Sequence, residues 1–203
     1  MNSQTTKVLA LRFDLLPENL KKKCADELSG QIRKKFNTHL STGFLGTPHL
    51  LHALSENGHR DLAWELLEQT TFPSWLYSVE NGATTIWEHW DSWTPENGFK
   101  DPKMNSFNHY AYGAVADWMY ENAAGIKIDE SKPAFEHIVF APLTDERLSY
   151  VKASIESRHG KVAASWKREN GTVSYEFTVP AGSTATVMLN GTSTEIGEGT
   201  HSF

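Results

Sequence analysis

A chain of 203 residues with a formal charge of −6, 39% hydrophobic and 22% charged residues, has the composition of a folded globular protein with room for one large or two small cores. Its 19 Lys and Arg form no dominant basic block, so binding to nucleic acid through counterion release is not expected. No apolar stretch reaches the length of a membrane span, and the single cysteine, Cys24, excludes intrachain disulfides and Cys-rich zinc sites.

The N-terminal segment MNSQTTKVLALRFDLLPENL lacks signal-peptide architecture, because Lys7, Arg12 and Asp14 break its apolar residues. Cytoplasmic and periplasmic locations both stay open. Apolar residues recur at helical spacing up to about residue 125. A first helix is expected over roughly 3–15. In the second, Leu16, Leu20, Cys24, Leu28, Ile32 and Phe36 fall every four residues, while Lys21, Lys22, Lys23, Arg33, Lys34 and Lys35 form a solvated face. Pro17 suits an early-helix position. Further helices are expected over roughly 46–57, 59–69, 84–92 and 106–123, with Asn57 and Gly58 capping the third. The helical part therefore reads as about six helices in three hairpins.

Residues 126–133, IKIDESKP, read as a linker ending in Pro133. After it come HIVFAPL, SYVKASIESRHG, KVAASWKREN, TVSYEFTVPAG and TATVMLNG. Short segments parted by Gly, Asn and Pro turns are the pattern of an antiparallel β-sandwich. Asn170-Gly171 is a hairpin turn candidate. The expected division is a helical domain over 1–128 and a β-sandwich over 129–203. Three helical hairpins cannot close a ring, and an open ring leaves apolar surface uncovered. Two copies packed through that face, as a homodimer, would cover it.

The densest polar and aromatic stretch runs from Trp75 to Tyr112: WLYSVENGATTIWEHWDSW, PENGFKDPK and MNSFNHYAYGAV. Sugar sites combine flat aromatic faces with carboxylates, amides and imidazoles, and this stretch supplies both. Glu88 lies between Trp87 and the His89–Trp90 pair. A carboxylate among large aromatics is partly withdrawn from water, which suits proton transfer. An ordinary surface Glu on a helix is the other reading. Asn105, Asn108 and His109 form a second cluster, in which His109 is either a structural hydrogen-bonding residue or a sugar ligand. In TGFLGTPHLLHAL, His49 and His52 stand three apart. No HExxH or third ligand accompanies them, so neither a metal nor a cofactor is expected. The sequence has no GxSxG elbow, phosphate-binding Gly loop or CxxC. Cys24 sits on an apolar helix stripe, where a buried inert thiol is expected.

The segments STGFLGTPHLLHAL, PSWLYSVENGATTIWEHWDS and MNSFNHYAYGAVADWMYENAAGI closely resemble the C-terminal half of the catalytic barrel of bacterial α-L-rhamnosidases, glycoside hydrolase family 78. HIVFAPL and YEFTVPAGSTATVML resemble that family's C-terminal β-sandwich. The resemblance implies part of an (α/α)6 barrel, about three hairpins of six, followed by an antiparallel β-sandwich. It implies an inverting hydrolase of terminal α-L-rhamnosides without cofactor, in which Glu88 is the general base. It also implies substrate contacts from His109 and from Trp87, Trp90 and Asn108. The family's general acid belongs to a DGxRRDRxxW-type motif that this sequence lacks. The chain is therefore expected to have negligible glycosidase activity alone. Two other readings are a non-catalytic sugar-binding module and a fragment of another inverting (α/α)6-barrel enzyme, a glucoamylase-like hydrolase or a phosphorylase.

Overall fold

The computed structural model describes residues 3–203, which form two compact units, the first running up to Val115 and the second spanning Ala116–Phe203. In the first unit, α1 (Gln4–Arg12) starts at Ser3, whose hydroxyl accepts from the Thr6 amide at 3.1 Å. That bond satisfies one of the free donors at a helix start. α2 (Glu18–Gly30) begins directly after Pro17 and passes into a π-helical turn over Gln31–Lys35. Of the predicted stripe, Cys24, Leu28 and Ile32 are buried, while Leu20 stays exposed at the solvent end. α3 (Thr47–Glu56) and α4 (Arg60–Leu67) form a tight hairpin. Asn57 caps α3 and Gly58 follows with φ +85°, as the sequence suggests. The core of this unit gathers Val8, Leu28, Leu50, Leu54, Leu62 and Trp64.

Two expectations fail in the next stretch. A short helix, α5 (Trp75–Glu80), appears where none was expected, started by Ser74 accepting from the Tyr77 amide at 3.1 Å. The helix predicted over 84–92 does not form. The segment is irregular because backbone groups at Ile86 and Glu88 pair with residues 106–109 rather than along a helix. The Glu88 amide donates to the Ser106 carbonyl and the His109 amide to the Ile86 carbonyl, both at 2.9 Å. The helix predicted over 106–123 is likewise shorter. Asn105 is extended, with φ −148° and ψ 129°, and helical structure starts only at a 3-10 turn, Ala111–Ala114. It continues as α6 (Val115–Trp118) and a π-helical turn over Met119–Ala123. Between the two motifs a small hairpin pairs β1 (Trp93–Thr94) with β2 (Gly98–Phe99).

The second unit is a sandwich of two four-stranded sheets. One has the order β10 (Gly199–Ser202), β7 (Thr172–Val179), β6 (Gly160–Glu169), β5 (Tyr150–Ser157). The other has the order β3 (Ile126–Ile128), β4 (His137–Phe140), β8 (Thr184–Leu189), β9 (Thr192–Ile196). The stretch expected to be a linker therefore opens with an edge strand: Ile126 pairs with Phe140 and Ile128 with Ile138. β4 and β8 pair in parallel, and every other pairing is antiparallel. Alternation along each strand sends Ile138, Phe140, Val162, Ala164, Phe177, Val179, Ala185 and Val187 into one buried cluster. Phe140 and Phe177 stack across it at 4.6 Å. The predicted turn at Asn170-Gly171 has positive φ at both residues, as a type I′ hairpin requires. Trp166 donates its indole N–H to the Ala123 carbonyl at 2.8 Å, so a buried indole keeps a partner.

Candidate active site

The site is built in the first unit by two segments far apart in sequence. The backbone bonds from Glu88 and His109 tie residues 86–88 to 106–109, and the Thr85 hydroxyl adds a bond to the Phe107 carbonyl. A second clasp lies beside it. Ser92, fully buried, donates its hydroxyl to Asn105 Oδ1 at 2.6 Å and accepts from the His89 amide at 3.1 Å. Asn105 Nδ2 returns a bond to the Ser92 carbonyl at 3.0 Å. The Asn105 amide thereby locks the two motifs together.

Glu88 is thereby fixed at the backbone while its side chain keeps 23% exposure, and one carboxylate oxygen lies 3.7 Å from His89 Nε2. Asp91 stands apart from it, paired with Lys100 Nζ at 2.8 Å. That ammonium, by donating to the carboxylate, holds Asp91 below the usual carboxylate range. Burial pushes the Tyr112 phenol up, and the charges of Asp91 and Glu88 push it the same way.

Six rings form a continuous ladder through this region. Trp75 meets Trp90 edge-on at 5.5 Å, and Trp90 stacks on Tyr112 at 3.9 Å and 10°. Tyr112 leans on Phe44 at 5.3 Å, Phe44 stacks on His109 at 4.7 Å and 11°, and His109 lies parallel to Tyr110 at 5.6 Å. Edge-on and offset-parallel contacts suit the ring quadrupoles. The polar ends of the ladder are satisfied: Trp75 Nε1 donates to the Tyr112 carbonyl at 2.9 Å and Trp90 Nε1 to the Thr42 carbonyl at 3.2 Å. Tyr110 ends the ladder 86% exposed.

Of the residues singled out from sequence, Glu88, His109 and Trp90 thus belong to one connected assembly. Trp87 is buried, with its ring edge-on to Phe107 at 5.4 Å, and helps line a separate 280 Å³ cleft with Trp93 and Phe99. Asn108 is exposed, its amide donating to the Ser106 hydroxyl at 3.2 Å. His49 meets Phe13 edge-on at 5.0 Å, and His52 is buried with Nδ1 4.0 Å from Glu56. An open cleft of about 730 Å³ lies beside Trp90 and Asp91, walled by Lys35, Phe36, His39 and Phe72. Sequence reasoning missed Phe44, Tyr112 and Ser92. An aromatic residue between two glycines, Gly43-Phe44 and then Gly46, marked a loop that must place a ring at close quarters. At Gly46 an added Cβ would come within 3.0 Å of Thr42 Cγ2 and 2.8 Å of Thr5 Oγ1.

Comparison with known proteins also matches the chain in two parts. The bacterial alpha-L-rhamnosidase 6 hairpin glycosidase domain matches residues 1–123, and the bacterial alpha-L-rhamnosidase C-terminal domain matches residues 125–203. Alpha-L-rhamnosidases of Streptomyces avermitilis and Formosa agariphila are each 44% identical to the chain, over 93% and 92% of it. The matched region is 18% and 20% of those proteins, so the chain spans about a fifth of the length of the curated relatives it matches. The crystal structure of the Streptomyces avermitilis alpha-L-rhamnosidase complexed with L-rhamnose superposes with a TM-score of 0.92 at 40% identity, covering 98% of this chain and 21% of that one. The native enzyme from Aspergillus terreus gives 0.91 at 33% identity, covering 99% and 24%.

Proposed function

The chain belongs to the bacterial α-L-rhamnosidase family, and we propose that it supplies the water-activating side of an inverting hydrolase of terminal α-L-rhamnosides. In this reading Glu88 is the general base. Its carboxylate accepts a proton from a water as that water attacks the anomeric carbon from the face opposite the leaving group. Inversion requires the two carboxyl groups to stand roughly 6.5–9.5 Å apart so that the water fits. His109 and Asn108 contact sugar hydroxyls, and Trp90 shapes the pocket wall through its stack on Tyr112. Trp87 acts from behind, as a buried prop for the segment that carries Glu88. The matching acid comes from outside these 203 residues, so the chain alone does not turn over rhamnosides.

The observation that carries this reading is the backbone clasp from Glu88 to Ser106 and from His109 to Ile86, which binds the two motifs into one unit. A positioned base needs such fixed geometry. A chimera tests it: the corresponding segment of the Streptomyces avermitilis enzyme is replaced by this chain. The chimera is expected to hydrolyse an aryl α-L-rhamnoside and release the β-anomer first, as seen by NMR. Glu88→Gln is expected to lower its kcat by about 10²–10⁴-fold, the usual share of general base catalysis. Full activity of the Glu88→Gln chimera, retention of configuration, or more than trace turnover by the 203-residue chain alone would each overturn a part of the proposal.

A further inference from the structure

A backbone amide decides which nitrogen of His109 carries the proton. The Ala111 amide donates to His109 Nδ1 at 3.3 Å. An amide N–H can only donate, so Nδ1 must present its lone pair, and a neutral imidazole then holds its single proton on Nε2. The bond spans only two residues, and rotation about the His109 side-chain bonds would break it. Phe44 stands against tilting of the imidazole out of that bond, its own ring lying 4.7 Å away and nearly parallel at 11°. We propose that Phe44 is a positioning residue that, with the Ala111 amide, holds His109 as the Nε2–H tautomer, a hydrogen-bond donor for a sugar hydroxyl.

Phe44 is itself braced for this task. Its ring leans on Tyr112, which is stacked on Trp90. Its loop is tied at Thr42, whose carbonyl accepts from Trp90 Nε1 and whose hydroxyl pairs with that of Thr47 at 2.8 Å. The same loop thus orients Trp90 from one end and His109 from the other. A fixed donor has chemical value on the motif clasped to the Glu88 segment. An ionised carboxylate can only accept, whereas a hydroxyl that donates to an acceptor still needs a donor for its own oxygen. The importance of the tautomer rests on His109 being a substrate contact, but its geometry does not.

The test is a long-range proton–nitrogen correlation spectrum of the histidine-labelled chain at mildly alkaline pH, with His109 assigned through His109→Gln. The wild-type ring is expected to show a bare Nδ1 and a protonated Nε2. Phe44→Leu removes the planar face and is expected to lower the tautomer ratio by about two- to tenfold, the size of an aromatic stacking contribution. Phe44→Tyr keeps the face and is expected to restore the wild-type ratio. If Phe44→Leu loses the folded amide spectrum, Phe44→Met takes its place. A proton on Nδ1 in the wild type, or an unchanged ratio in the folded Leu or Met variant, overturns the proposal. No substrate enters this measurement, so its failure is distinct from failure of the chimera to hydrolyse rhamnosides.

Discussion

The amide of Glu88 donates to the carbonyl of Ser106 at 2.9 Å, so the carboxylate proposed as base is anchored to the motif that carries His109. A side chain on an irregular segment is held here by non-local backbone bonds, which a helix would have satisfied within itself.

The clasp between Ser92 and Asn105 is expected to be a main support of that arrangement. Ser92→Ala removes a partner of Asn105 Oδ1 and of the His89 amide in a partly buried setting. Leaving buried polar groups unpaired costs about 1–3 kcal/mol. Urea or thermal unfolding should show that loss, and Asn105→Ala combined with Ser92→Ala should cost less than the sum of the two. Additive losses would mean that the two residues act separately.

Asp91 offers a pH signature. Its pairing with Lys100 lowers the carboxyl's folded value below the unfolded one, so the ion pair stabilises the fold above the ordinary carboxylate range near about 4. That contribution is lost as pH falls through the lowered folded value. Both groups are partly exposed, at 47% and 35%, so screening keeps the contribution small. A carbon-detected titration of Asp91 should move upward in Lys100→Met, and an unmoved midpoint would show that the pair does not form in solution.

Gly125 has φ +81°, and a Cβ there would fall 2.2 Å from the Pro142 nitrogen. Backbone cannot yield as a flexible side chain can. Gly125→Ala is expected to destabilise the β unit by about 2 kcal/mol or more, from strain at positive φ together with overpacking. A melting temperature within a degree of wild type would contradict it.

Cys24 is buried, and burial is the first cause that pushes its thiol up. It is expected to react with a water-soluble thiol reagent only as fast as the helical unit opens. Urea below the unfolding midpoint should therefore accelerate labelling steeply. Immediate labelling in native buffer would refute this.

Much of the fold can be read from periodicity. The helices over 4–12, 18–30, 47–56 and 60–67 carry their own buried stripes, and Gly58 and Asn170-Gly171 carry their own turn chemistry. The stretch 84–92 misleads because Ile86, Trp87 and Trp90 have helix-compatible spacing while the backbone partners of Ile86 and Glu88 lie some twenty residues on. Likewise Ile126 and Ile128 form too short a run to announce a strand, and only pairing with Phe140 and Ile138 makes one. At the site, Glu88 and His109 stand out by motif. Phe44 does not, because its task is set by a ring 65 positions away.

The parallel contact of β4 with β8 has a kinetic consequence. Strands β5, β6 and β7 pair with immediate neighbours through short turns, so their meander can zip up locally. His137 must wait for Thr184, its partner across the parallel ladder, and closing so wide a loop is entropically slow. The sandwich should therefore assemble from one sheet outward: the meander as an early template, the β3–β4 edge docking late, and Phe140 reaching Phe177 only in the final step.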